Sequence, residues 1–211
     1  MSDKALRERS PFYETMRVIA SGLLKVFFPI TYHGRENVDA LNAPYIVLGN
    51  HKSFVDPLAV GIGVRYDVVH FVGKKELSKY KITAWFFEKM NGIMIGRGET
   101  DMAAMRKCMQ VLKDNHVLGI FPEGTRHQDE MMAHIETGAA LIALRSKATI
   151  IPCYIHGKFR LFHRTHVYFG KPMELADLHQ KGLSTDTVNE LCGRIRDTYY
   201  AMRNAANKKN S

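Results

Sequence analysis

Short β-branched apolar runs recur along this chain, each closed by glycine or proline, and stretches with helical spacing lie between them. The runs at 45–49, 67–73, 117–121 and 149–155 are too short for ordinary helices and rich in residues that favour strands. Further strands are expected near 30–34 and 166–169. Helical patterning covers 56–63, 74–90, 99–115, 135–145 and 183–206. Parallel neighbours need a crossover between them, so this alternation predicts an α/β fold: a mostly parallel sheet covered by helices on both faces. A chain of 211 residues can bury one such core well, and two would be cramped. No repeat or linker divides it. The expected organisation is an N-terminal amphipathic helical segment over 1–30, an α/β domain over 31–206 and a fraying polar tail over 207–211.

The N-terminal helix has its own signals. Ser10 can cap it and Pro11 suits its first turn, while Phe12, Met16, Ile19, Leu23 and Phe27 follow at helical spacing. Glu14, Arg17, Ser21 and Lys25 share a narrow opposite face. Lys25 and Pro29 interrupt any apolar run approaching the roughly 20 residues of a membrane span. Acids within the basic leader speak against a cleavable signal. Two readings remain, a helix packed on the domain or one lying in a lipid interface, and both hold if its outer edge touches lipid. Farther on, Trp85, Phe86 and Phe87 form an apolar patch that reads as core.

Three segments carry chemistry. Directly after the first clear run, Asn50-His51-Lys52-Ser53-Phe54-Val55-Asp56-Pro57 places an aspartate five residues beyond a histidine at a strand's end. A turn there can return the carboxylate to the imidazole, fixing its tautomer and leaving the other nitrogen as a base. The plainer reading is a helix start with an incidental surface histidine. Phe121-Pro122-Glu123-Gly124-Thr125-Arg126 closes another run. Arg126 can clamp a phosphate there, with Thr125 and backbone N–H groups completing the cradle; a Glu123–Arg126 salt-bridged turn is the alternative. Gly92 to Gly98 puts Arg97 at the exit of a third run, beside glycines that permit close approach.

Together these segments resemble the 1-acylglycerol-3-phosphate acyltransferase family, whose first motif is His-x4-Asp. His51 to Asp56 is similar to that motif, Gly92 to Arg97 to the second block and Phe121 to Arg126 to the third. Thr149-Ile150-Ile151-Pro152-Cys153 resembles the fourth, and the likeness runs from about His33 to Phe169. It implies an O-acyltransferase of phospholipid biosynthesis that moves a fatty acyl group from a thioester to 1-acylglycerol 3-phosphate. The donor implied is acyl-CoA or acyl carrier protein, with no metal or other cofactor. His51 would be the base and Asp56 its partner. Arg97 and Arg126 would hold phosphate, with Gly124 and Thr125 shaping the loop and Glu123 orienting Arg126 or touching the glycerol. The resemblance also implies a peripheral or monotopic place on the cytoplasmic face of a membrane. Glu136 stands where the family often has lysine, and Met94 where phenylalanine or proline is common. Glycerol 3-phosphate or another lysolipid as acceptor, and a silent lipid-binding relative, remain alternatives.

A formal charge of +9 favours an anionic partner. No nucleic-acid-binding signature accompanies it, so the charge is assigned to an anionic membrane surface and to phosphate, with no nucleic acid among the partners. Cys108, Cys153 and Cys192 form no Cys-x-x-Cys pair and read as packed thiols in a reducing compartment.

Overall fold

The computed structural model describes residues 10–74, 81–95, 101–123, 132 and 135–210. Its elements, in chain order, begin with α1 (Pro11–Phe27), β1 (Ile30–His33), the short α2 (Glu36–Asp39), β2 (Tyr45–Gly49), α3 (Asp56–Gly63), β3 (Val69–Lys74), α4 (Lys81–Lys89) and β4 (Ile93–Ile95). They continue with α5 (Asp101–Lys113), β5 (Val117–Ile120), α6 (Thr137–Ser146), β6 (Thr149–His156), β7 (Thr165–Phe169), α7 (Ala176–Lys181) and α8 (Thr185–Asn210).

The strands form one seven-stranded sheet in the order β1-β7-β6-β2-β5-β3-β4. All neighbours are parallel except β6 and β7, so β7 and β1 run against the rest. The expected α/β fold with a mostly parallel sheet is the observed one. Both faces of β2 are covered, which is why its sequence is apolar throughout rather than alternating. Ile46 and Leu48 enter a core with Leu118, Ile150, Ala140, Leu191 and Ile195 beneath α6 and α8. Tyr45 and Val47 enter a second core with Val60, Ile151, Cys153 and Phe169, on the α3 side.

This arrangement creates the crevice. After β2 the chain turns to α3 on one face, and after the adjacent β5 it leads to α6 on the other. Ligand sites in open α/β sheets form at such a switch point, beyond the carboxyl ends of the strands.

Two expectations are corrected, and one helix was not foreseen. The tail expected to fray from Asn207 is helical to Asn210, anchored one turn earlier by Ala206, which is 1% exposed. The long terminal helix has a separate predecessor, α7, ended by Gly182 at φ +78. Trp85 and Phe86 do not belong to the core. They lie exposed on α4, edge-on to Phe12 of α1 at 5.2 and 6.3 Å, with Ile82 exposed beside them.

Helix α1 begins as its sequence implies: the Ser10 hydroxyl accepts from the Tyr13 N–H at 3.1 Å, and Pro11 occupies the first turn. Tyr13 and Leu24 are buried, whereas Val18, Ile19, Leu23, Val26 and Phe27 face outward. All three cysteines are free and buried.

Candidate active site

Between β2 and α3 the chain makes a tight turn whose centre is one carboxylate oxygen. Asp56 Oδ2 accepts from the Lys52 N–H at 2.6 Å, from the Ser53 N–H at 2.7 Å and from His51 Nδ1 at 2.8 Å. The aspartate is fully buried, and its other oxygen has no partner among the described residues. Burying a carboxylate costs several kcal/mol unless donors replace water. Three donors on one oxygen are that replacement, and they fix the imidazole as the Nδ1–H tautomer. Nε2 is left as a lone-pair base on a ring that keeps 21% exposure.

The ring is held from its flat side as well. Phe121, just past β5, stacks on His51 with centroids 4.4 Å apart, and Phe71 of β3 stacks behind Phe121 at 5.7 Å. Gly49 makes room for this: a Cβ there would sit 2.8 Å from the Phe121 ring.

Glu123 fastens the backbone of the same histidine. Its carboxylate is 2% exposed, and Oε1 accepts from the His51 N–H at 3.0 Å, while Oε2 takes a long 3.5 Å contact from the Met132 N–H. The sequence suggested Arg126 or glycerol as its partner, and Arg126 lies outside the described residues; among those described, Glu123 reaches the strand end that carries His51. The Pro122 carbonyl accepts from the Glu136 N–H at 2.8 Å, so the segment after β5 returns to its own start.

Two further residues escaped the sequence reading. Asn50 is fully buried, donating through Nδ2 to the Ile155 carbonyl at 3.1 Å and accepting the Ile155 N–H at 2.7 Å. It thereby extends the β2–β6 pairing to the residue before His51; an asparagine immediately after an all-apolar strand was the available signal. Tyr199 of α8 donates its hydroxyl to the Leu48 carbonyl from the other face. Lys52 is half-buried, and burial draws its ammonium pKa below the usual lysine range against the opposing pull of Glu123 and Asp56.

The structure thus brings His51, Asp56 and Glu123 together. Arg97, Gly124, Thr125 and Arg126 lie outside the described residues. Among the described residues no group of three or more His, Cys, Asp or Glu side chains is arranged to hold a metal ion. The described site is a base with a buried carboxylate partner at the carboxyl ends of β2 and β5.

Comparison with known proteins bears on what such a base acts upon. A family model described as acyltransferase matches residues 29–156. The 1-acyl-sn-glycerol-3-phosphate acyltransferase of Bacillus subtilis is 26% identical over 153 residues, covering 70% of this chain and 75% of that protein. The enzyme of the same name from Streptococcus pneumoniae is 26% identical over 174 residues, or 80% of this chain and 64% of its own. Among solved structures, the 1-acyl-sn-glycerophosphate (LPA) acyltransferase PlsC of Thermotoga maritima shares the fold, with a TM-score of 0.68 and 21% identity. That likeness covers 95% of this chain and 84% of the other.

Proposed function

The chain belongs to the acyltransferase family, and from that premise we propose that it acylates the free hydroxyl of 1-acylglycerol 3-phosphate, giving phosphatidate. It is an O-acyltransferase of lipid metabolism, and its matches to enzymes of phosphatidate synthesis support this acceptor. The acyl group comes from a thioester, on CoA or on acyl carrier protein.

His51 Nε2 takes the hydroxyl proton as that oxygen attacks the thioester carbonyl carbon. Asp56 stabilises the imidazolium through Nδ1–H. Collapse of the tetrahedral intermediate breaks the carbon–sulfur bond, and the departing thiolate recovers the proton from His51. No covalent enzyme intermediate is needed. Arg97 and Arg126 are assigned to the acceptor phosphate, Arg126 with Gly124 and Thr125 shaping its own loop. The 2.8 Å contact between His51 and Asp56 carries this reading, because it prepares one nitrogen as a base and leaves it facing solvent.

The acceptor resides in a bilayer, and the surface of α1 suits a peripheral or monotopic position there. Its outward residues join Leu161 and Phe162 of the β6–β7 connection, where Phe162 packs 5.8 Å from Phe27. No described helix is long and apolar enough to cross a membrane. Three free thiols accord with the cytoplasmic face.

The deciding experiment measures phosphatidate formed from 1-acylglycerol 3-phosphate in vesicles, with both donors supplied in parallel, for wild type and His51→Ala. Product from wild type and its loss in the variant is expected. Equal rates would overturn the role of His51; no product from either donor would overturn the acceptor assignment.

A further inference from the structure

Backbone pairing of β2 stops short of the residue that carries the chemistry. Against β5 it ends at Leu48, opposite Ile120, and against β6 at Gly49, opposite Cys153. Strand β6 runs on to His156, so Ile155 lies beyond the last β2 residue paired with its strand. Ile155 is fully buried, and a buried backbone N–H and C=O each need a partner. The Asn50 side chain supplies both: Nδ2 donates to the Ile155 carbonyl at 3.1 Å, and Oδ1 accepts from the Ile155 N–H at 2.7 Å. A primary amide carries donor and acceptor side by side, as a peptide group does, and Asn50 is fully buried with its partner.

Asn50 and His51 share one peptide, and that peptide is held from both flanks. On the β6 side it is held through the Asn50 amide. On the β5 side Glu123 Oε1 accepts the His51 N–H at 3.0 Å. Asp56 and Phe121 orient the imidazole, and Asp56 also fixes the Lys52 and Ser53 N–H groups of the turn that follows. The point at which the chain leaves the sheet is set one peptide earlier, by Asn50 and Glu123.

We propose that Asn50 is a positioning residue of the reaction: its amide takes the place of β2 backbone at Ile155 and so fixes the height of the His51 base above the strand ends. That the positioned group is a base acting on a hydroxyl rests on the acyltransferase reading above. Aspartate at this position has the same shape but no donor, and sets a carboxylate against the Ile155 carbonyl. Serine is too short to reach both groups. Either change frees the peptide on its β6 side while Glu123 still holds the other, so His51 shifts without losing Asp56. A displacement of about 1 Å at a reacting group costs on the order of a hundredfold in rate.

The test joins kinetics to nitrogen NMR of labelled histidine rings in the free protein, both taken well below the Tm of every variant. In wild type His51 should give one set of signals, those of the Nδ1–H tautomer once the ring is neutral. Asn50→Asp should lower kcat about tenfold to a hundredfold with KM for acceptor and donor held, and should broaden or split the His51 signals. Asn50→Ser, which buries no charge, should show the same two effects and serves where the aspartate variant does not fold. Leu178→Ala, at a fully buried position on α7, should lower Tm and leave both kcat and the His51 signals unchanged. An unchanged kcat in the Asn50 variants would overturn the proposal. So would a fall in kcat with the His51 signals intact, which would place the effect of Asn50 elsewhere, or an equal fall in Leu178→Ala, which would make it one of stability alone. Absence of any transfer to 1-acylglycerol 3-phosphate by wild type would sink the acceptor assignment, and the ring signals would still decide whether Asn50 holds His51.

Discussion

Asp56 and Glu123 are ionisable groups that the fold hides almost completely, whereas Val18, Leu23 and Val26 are apolar groups it leaves in solvent. Both choices oppose stability taken alone. A buried carboxylate is costly until donors surround it, and an apolar side chain kept exposed forgoes about 1.5–3 kcal/mol of burial. At the carboxyl end of β2 the cost is met within the molecule: five N–H contacts reach two side chains and converge on one histidine and its backbone. On α1, Leu23 and Val26 stay more than half exposed among the described residues. One region is self-sufficient and so reads as machinery; the other is incomplete in water and so reads as a surface for another phase.

The sharpest way to break that contrast is to remove the base. His51→Ala should lower kcat/KM by about 10²–10⁴ with little change in Tm, because the ring is partly exposed and, among the described residues, stacks on Phe121 alone. Asp56→Asn should cost a comparable factor at the high end, since the amide can present an N–H to Nδ1 and reverse the tautomer. It should also lower Tm, because an amide oxygen replaces a charged acceptor for two backbone N–H groups. A fall in Tm without loss of rate would show the carboxylate to be structural only. Glu123→Gln should act next in size, about tenfold to a hundredfold on kcat, since Glu123 holds the backbone of His51 rather than its ring. An unchanged KM for the acceptor would separate this positioning role from contact with glycerol.

How much of this was legible depended on the range of the interaction. β2 and α3 fall at their expected residues because a fully apolar run followed by a turn and an Asp-Pro helix start is a local signal. The His51–Asp56 pair is local too, five residues apart. Glu123 was legible as a candidate, but its hold on the His51 N–H was not, because the two lie 72 positions apart across a strand pairing. The His33–His166 contact spans 133 positions and follows from β1 pairing with β7, which no periodicity announces. The six-residue α7 is too short to show a helical period. Trp85 and Phe86 misled because composition distinguishes apolar from polar, whereas covered from uncovered is decided by what packs above.

The smallest expected effect tests the other half of the contrast. Leu23 and Val26 sit on the outer face of α1, 53% and 61% exposed, away from Tyr13 and Leu24, which anchor the helix. Leu23→Ser/Val26→Ser should therefore change Tm little, since both side chains are more than half exposed. If α1 rests in the lipid interface, partial insertion of two such side chains contributes about 1.4 kcal/mol, or tenfold in partition to vesicles. The variant should lose about that factor in co-sedimentation with anionic vesicles. It should lose a similar factor in transfer to vesicle-borne acceptor, and nothing with a short-chain acceptor in free solution. Raising salt should weaken vesicle binding of both proteins by the same ratio, because the basic surface is untouched and only its screening changes. A loss of activity on the short-chain acceptor would mean that α1 shapes the catalytic crevice. Unchanged vesicle partition would mean that its apolar face docks elsewhere, and the contrast between the two regions would lose its lipid half.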